Sequence, residues 1–256
     1  DNFLGFVFFN SFLQDNFRGQ SLEKVANVGQ VISQMIVNYS LTLRFMLAAL
    51  RSTVGIVDYR DPETGNHLKR MAKFSRLIAR DLVVNQHADF TDEQIDLISH
   101  FAPMHDIGKI GTPDNILLKP GPLNEDEWCT MKKHPSIGRH ITNHLVADFG
   151  FQQIPYIEYL HQIVELHHEK LNGTGYPYGL EGKDVPMAAR IIAVSDIFDA
   201  LTNARPYKKA WKNDEAFQEL FDMCRRGHLD VNCVNSLYNN QSDVRAIQSR
   251  YSDLIS

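Results

Sequence analysis

Residues 187–204 constrain the fold more than any other stretch. Ala188, Ile191, Ile192, Val194, Ile197, Phe198 and Leu201 leave this segment apolar nearly all round, and a helix of that kind is buried by its neighbours. The rest of the chain supplies those neighbours as a run of punctuated helical segments. Asp61 is placed to cap a helix with Pro62 in its first turn. Leu68, Met71, Ala72, Ile78 and Ala79 then form a buried stripe to about residue 81. Thr91 with Gln94, and Asn124 with Glu127, make capping boxes. Pro135 opens a helix that Gly150 stops, Pro155 opens one that ends at His167 and His168, and Asn213 caps one that Gly227 ends. The tail from residue 230 adds one or two short helices. No alternating strand pattern follows residue 20, so the expected fold is all-α.

The first part of the chain reads differently. Phe3-Leu4-Gly5-Phe6-Val7-Phe8-Phe9 is a β-type run dense in aromatics, and a lone strand needs a partner sheet. It is expected to be the last strand of an upstream domain whose remnant occupies residues 1–18. The chain starts at Asp1 rather than Met, as expected of a piece of a longer protein. Residues 19–55 form a connecting helix. Val25, Val28, Val31, Ile32, Met35 and Ile36 recur at three- and four-residue spacing, continued by Leu41, Phe45, Ala48 and Ala49. Such a helix can join a sensor to an output domain and pair with a copy of itself, or pack as an ordinary core helix. Residues 56–256 make the remaining domain.

Composition excludes several classes. A net charge of −5 argues against a DNA-binding protein, which needs a basic face to displace counterions. It leaves room for a small phosphate ligand in a local basic pocket. Cys129, Cys224 and Cys233 show no paired spacing and read as reduced thiols of a cytoplasmic protein. The longest uninterrupted apolar runs fall short of the about 20 residues a membrane span needs, Leu41–Leu50 being broken by Arg44. No secretory signal pattern is present.

The chemistry sits in scattered imidazoles and carboxylates. His167 and His168 run directly into a loop with two glycines and a proline, Asn172-Gly173-Thr174-Gly175-Tyr176-Pro177. His105 and Asp106 follow a helix whose apolar face includes Ile95, Ile98 and Phe101. Adjacent residues diverge on a regular helix, so this pair converges only at an irregular point, which Ile107-Gly108-Lys109-Ile110-Gly111 supplies. Asp196 lies inside the apolar segment 187–204. A buried carboxylate needs a compensating cation, either a metal or an arginine such as Arg190, and Asp199 one turn on can bond a ligand. Glu63 and His67 are four apart and share a face. His134 stands before Pro135, where the backbone is expected to be extended. His87, His100, His140, His144, His161 and His228 are read as ordinary histidines. Glu63, His67, His105, Asp106, His134, His167, His168 and Asp196 thus offer nitrogen and oxygen ligands without thiolate, a set suited to Fe, Mn, Zn or Ni.

These residues, with Glu63-Thr64-Gly65-Asn66-His67, Lys133-His134-Pro135, Asp196-Ile197-Phe198-Asp199-Ala200-Leu201-Thr202 and Arg205-Pro206-Tyr207-Lys208, resemble the HD-GYP domains, a bacterial branch of the HD phosphohydrolases. The resemblance covers about residues 56–238. It implies an HD-type helical bundle and a phosphodiesterase that hydrolyses cyclic di-GMP to linear pGpG or GMP. His67, His105, Asp106, His134, His167, His168 and Asp196 would bind two metals, Fe or Mn before Zn or Ni, with Asp106 bridging. Glu63 accompanies members that hold a third ion. A hydroxide bridging the metals would attack one phosphodiester. Lys109, Arg205 and Lys208 would contact substrate phosphates, and the loop ending at Tyr176-Pro177 would border the pocket and, in some members, meet diguanylate cyclase domains. The competing expectation is a low-turnover module that binds cyclic di-GMP or a cyclase and relays its state through residues 19–55.

Overall fold

The apolar segment forms helix α8 (Met187–Thr202), and ten further α-helices precede and follow it among the described residues: α1 (Gln20–Asp58), α2 (Gly65–Val84), α3 (Asp92–Phe101), α4 (Asp114–Leu117), α5 (Glu125–Met131), α6 (His134–Asp148), α7 (Glu158–Leu166), α9 (Asn213–Arg225), α10 (Val231–Asn239) and α11 (Gln241–Arg250). The computed structural model describes residues 7–12, 17–60, 65–203 and 209–252. Among them the sole β feature is an isolated bridge between Asn172 and Glu181, so the fold is all-α. The expected strand is not formed over residues 7–11, and residues 1–6, like the Asp61 cap, lie outside the described residues.

The chain divides into two units, Asp1–Ala49 and Leu50–Ser256. In the first, the Phe9 ring lies against α1 at Gly29, where an added Cβ would be 3.6 Å from the ring. Val28, Val31, Met35, Leu41 and Phe45 stay exposed. The helix is also long and apolar enough to cross a bilayer, by length and composition alone. Counting unbroken apolar runs misses this, because residues 25–43 carry Ser, Thr, Asn and Gln but no charge.

In the second unit α8 is the axis. Ala188, Ala189, Ile191, Ile192, Val194 and Phe198 are buried, and α2, α7 and α9 pack around it. Phe198 meets Phe74 of α2 edge-on at 5.3 Å and stacks on Phe217 of α9 at 5.0 Å. Among the apolar side chains of this seam sits the hydroxyl pair Ser75–Ser195, 3.1 Å apart, with Ser195 donating onward to the Ile191 carbonyl. Helix α3 and α6 complete the shell, and α10 and α11 close the α2 side.

Local punctuation agrees with the sequence at α3 and α5, whose capping boxes Thr91–Gln94 and Asn124–Glu127 are both formed. It differs at α9. Lys212 is the N-cap residue, its amide donating to the Glu215 carboxylate at 2.9 Å, while the Asn213 side chain trades hydrogen bonds with Gln248 of α11. Pro155 begins a turn rather than the helix itself, and α7 starts at Glu158.

Candidate metal centre

Three-residue spacing on two facing helices builds one side of the site. His67 and Arg70 lie on α2, Asp196 and Asp199 on α8, and i,i+3 neighbours share a face. Asp199 is buried between the helices. One carboxylate oxygen accepts from His67 Nδ1 at 2.8 Å, and Arg70 forks onto both oxygens at 2.6 and 3.0 Å. The third arm of the guanidinium donates to the Tyr251 carbonyl at 2.7 Å, beyond the end of α11. Arg70, 1% exposed, is therefore neutralised in the core. Asp196 sits one turn earlier, its carboxylate 4.0 Å from His67 Nε2.

The opposite side comes from the break after α3. Two 3₁₀ turns, Ala102–Met104 and Ile107–Gly111, flank His105 and Asp106, and Asp106 adopts φ −100°, ψ 11°, which ends the helical path. This turn presses onto the start of α6 with no room for a side chain. A Cβ on Gly108 would lie 1.8 Å from the His134 carbonyl oxygen, and one on Gly138 would lie 2.5 Å from Val164. Glycine at both positions brings the His105–Asp106 turn against His134 and α7. His134 is helical, not extended as the sequence led us to expect. It opens α6 with Pro135 in the first turn, where a missing N–H costs nothing.

Three of the histidines are oriented from behind by a carbonyl. His105 Nδ1 lies 2.9 Å from the Ala102 carbonyl, His134 Nδ1 2.9 Å from that of Met131, and His167 Nδ1 3.0 Å from that of Ile163. A carbonyl only accepts, so Nδ1 carries the proton in each ring and Nε2 presents its lone pair to the cavity. Asp199 fixes His67 in the same sense. The lone pairs converge on Asp106, with His134 Nε2 3.1 Å and His167 Nε2 3.7 Å from one carboxylate oxygen and His105 Nε2 3.2 Å from the other. Two groups result, Asp106 with His134, His167 and His168, and His67 with His105 and Asp196, the ligand atoms of each lying within 4.8 Å of one another. Asp106 Oδ1, His134 Nε2 and His167 Nε2 are buried without the geometry of a hydrogen bond. Such atoms are costly unless something cationic satisfies them, and imidazole with carboxylate is a donor set that divalent metals accept. The residues fit a divalent metal centre.

The charges are tuned accordingly. Burial opposes ionisation of Asp106, but Lys109, its Nζ 2.8 Å away, and His105 outweigh it and hold the carboxyl well below the usual range. Burial, aided by neighbouring imidazoles, holds His168 well below its ordinary value and lowers His167. Both rings are thus neutral, as metal ligands must be. In metal-free protein the unfolded chain then takes up more protons than the folded one once the pH falls below about 6.5. Stability is fully present above that value and is lost as the pH drops towards the lower folded values. The melting temperature of chelator-treated protein is expected to fall between pH 7.5 and 5, with a shallower fall in His168→Asn. Equal slopes in the two proteins would contradict this account.

Tyr176 stacks on His168 with ring centres 4.7 Å apart, and burial followed by the Asp106 and Asp196 charges raises its hydroxyl pKa far above neutrality. The peptide between Tyr176 and Pro177 is cis. The loop is pinned by Glu169, a buried carboxylate that accepts from the backbone N–H of Tyr178 at 2.7 Å and of Leu180 at 3.0 Å.

The structure therefore brings His67, His105, Asp106, His134, His167, His168 and Asp196 together, with Lys109 and Tyr176 beside them. Glu63, Arg205 and Lys208 lie outside the described residues. Arg190 does not face Asp196. It donates to the Val185 and Gly182 carbonyls and pairs with Asp230 at 2.9 Å, which consumes its fork. His140 and His144 lie face to edge on the exposed side of α6 and join neither group. Sequence reasoning missed Arg70 and Glu169. The signal for Arg70 was a charge on the apolar face of α2, three residues after His67. For Glu169 it was a carboxylate placed directly after the histidine pair.

A family model described as HD domain matches residues 51–233. The chain is 40% identical over 197 residues to a cyclic di-GMP phosphodiesterase response regulator, RpfG, of Xanthomonas campestris, covering 77% of this chain and 48% of the relative. It is 38% identical over 176 residues to a cyclic di-GMP phosphodiesterase of Thermotoga maritima, 69% and 44% of the two chains. It is 34% identical over 198 residues to a 3'3'-cGAMP-specific phosphodiesterase 2 of Vibrio cholerae, 77% and 35%. The chain spans half or less of the length of these curated relatives.

Proposed function

Because this chain belongs to the HD domain family, and carries the motif set of its HD-GYP branch, we propose that it is a metal-dependent phosphodiesterase that hydrolyses cyclic di-GMP to linear pGpG or GMP. The observation that carries this reading is the row of histidines whose Nδ1 protons are tied to fixed acceptors, so that their Nε2 lone pairs meet around Asp106. Asp106 turns one oxygen towards each group of ligands, and would be the residue shared by the two. Two divalent ions, Fe or Mn in preference to Zn or Ni, would be held by His67, His105, Asp106, His134, His167, His168 and Asp196, with Glu63 available for a third. Bound ions supply an acidified water and positive charge for the phosphoryl oxygens.

The other roles fall to the chain's own groups. Lys109 sets a fixed positive charge at the edge of the cluster, where negative charge grows on the phosphorus oxygens. Hydrolysis breaks one P–O3′ bond, adds the water oxygen to phosphorus and returns a proton to the ribose oxygen. Tyr176 keeps its proton and donates a hydrogen bond at the lip of the site. Arg205 and Lys208, assigned to the phosphates by the resemblance, hold the second phosphodiester, Arg suiting a bidentate grip. Helix α1 pairs with a second copy through Val28, Val31 and Met35, which stay exposed at heptad-like spacing. The loop of Tyr176 and Pro177 is the contact for a diguanylate cyclase domain. The catalytic unit works in the cytoplasm, where its free thiols persist reduced.

Protein purified without oxygen and supplied with Mn or Fe(II) is expected to convert cyclic di-GMP faster than 3'3'-cGAMP or mononucleotides, with products followed by chromatography. Absence of turnover with any of these metals, alongside retained binding of cyclic di-GMP, would replace the enzyme by a low-turnover signalling module.

A further inference from the structure

Trp128 is the one large aromatic of α5, and it is left 47% exposed. Its ring stands edge-on to Tyr176 with centres 6.3 Å apart, and Tyr176 in turn stacks on His168. Three rings thus lead outward from the metal ligands to the surface. The helix that carries Trp128 is firmly held. Its N-terminus closes the Asn124–Glu127 capping box, Lys119 pairs with Glu127, and the Met131 carbonyl at its end receives His134 Nδ1. An indole on so fixed a support is a ready stacking surface, with little ordering left to do on binding.

Charge indicates which part of a ligand it takes. Helix α5 opens with Glu125 and Asp126, beside a Glu127 that Lys119 already pairs, so the start of this helix presents acidic side chains rather than a cation for phosphate. The uncharged base is the part of a nucleotide that fits here, while the phosphates stay with Lys109 and the metal ligands. We propose that Trp128 is a specificity-determining residue that stacks on a guanine base of the substrate and positions its phosphodiester over the metal centre. This rests on the cyclic dinucleotide reading above. It adds a base subsite to a centre otherwise described only by its phosphate chemistry.

Stacking on an aromatic side chain is worth enough to change affinity by about tenfold. In Trp128→Ala the KM for cyclic di-GMP is expected to rise about tenfold with kcat within about twofold, and Trp128→Phe recovers most of the loss. The chain has two tryptophans, Trp128 and Trp211, so a Trp211→Phe background leaves one reporter. Titration of that protein with GMP should quench its fluorescence, and the quench should vanish when Trp128 is replaced as well. The fluorescence test needs no turnover. If the natural protein fails to cut cyclic di-GMP the substrate reading falls, while quenching by GMP still decides the role of Trp128. Unchanged KM together with an unquenched reporter overturns the proposal and would leave Trp128 as a contact for a protein partner. A fall in kcat at constant KM, not recovered by phenylalanine, overturns it too.

Discussion

Alanine at both His105 and Asp106 is expected to lower metal-dependent hydrolysis of cyclic di-GMP by on the order of 10³-fold or more, since metal ions contribute several kcal/mol of charge stabilisation to phosphoryl chemistry. The pair touches both groups of ligands: His105 belongs with His67 and Asp196, and Asp106 with His134, His167 and His168. Removing them takes one donor from each group, and the donor lost with Asp106 is the carboxylate that lies between the two. The fold should survive, because the turn that carries them is held by Gly108 against α6 and by buried Met104 and Ile107 rather than by the two polar side chains. Metal content measured alongside activity separates loss of the ions from loss of structure. A double variant that keeps full activity would end the metal-centred reading.

Replacement of Asp199 by alanine should act on both stability and metal affinity. It strips a buried guanidinium of its partner, and breaking a buried ion pair from one side costs about 3–5 kcal/mol. It also removes the acceptor that sets the tautomer and orientation of His67, a loss that typically weakens metal binding about 10–100-fold. Asp199→Asn keeps an acceptor and should lie between. Denaturant titration reads the first effect and metal titration the second. If affinity is untouched while stability falls, His67 takes its orientation from elsewhere and Asp199 serves Arg70 alone.

The helical plan was legible because it is written in short-range terms. Apolar spacing over 187–204, the capping boxes at Thr91 and Asn124 and the stops at Gly150 and Gly227 each depend on a few neighbouring residues. The candidate ligands were legible for a different reason. Histidines and carboxylates on separate segments matched a known ordered motif, and the break after His105 could be inferred from two glycines close together. What stayed hidden was long-range. Arg70 meets its partner Asp199 across a sequence gap of 129 residues, and Arg190 is claimed by Asp230 forty residues away. Neither choice follows from local pattern, since no carboxylate lies within one helical turn of either arginine in the chain. The His134 backbone was misjudged because the rule for residues before proline weakens in the first turn of a helix. The apolar stripe of α1 was visible, but its exposure could be known only from packing.

Glu169 joins two things usually thought of separately. It follows His168 directly in the chain, and its carboxylate grips the backbone at Tyr178 and Leu180. Any protein that seizes the outer rim of that loop therefore pulls on the peptide unit next to an imidazole of the centre. Recognition from outside and geometry within cannot be adjusted independently here, so a docking partner would have a mechanical handle on the rate whether or not it touches the substrate.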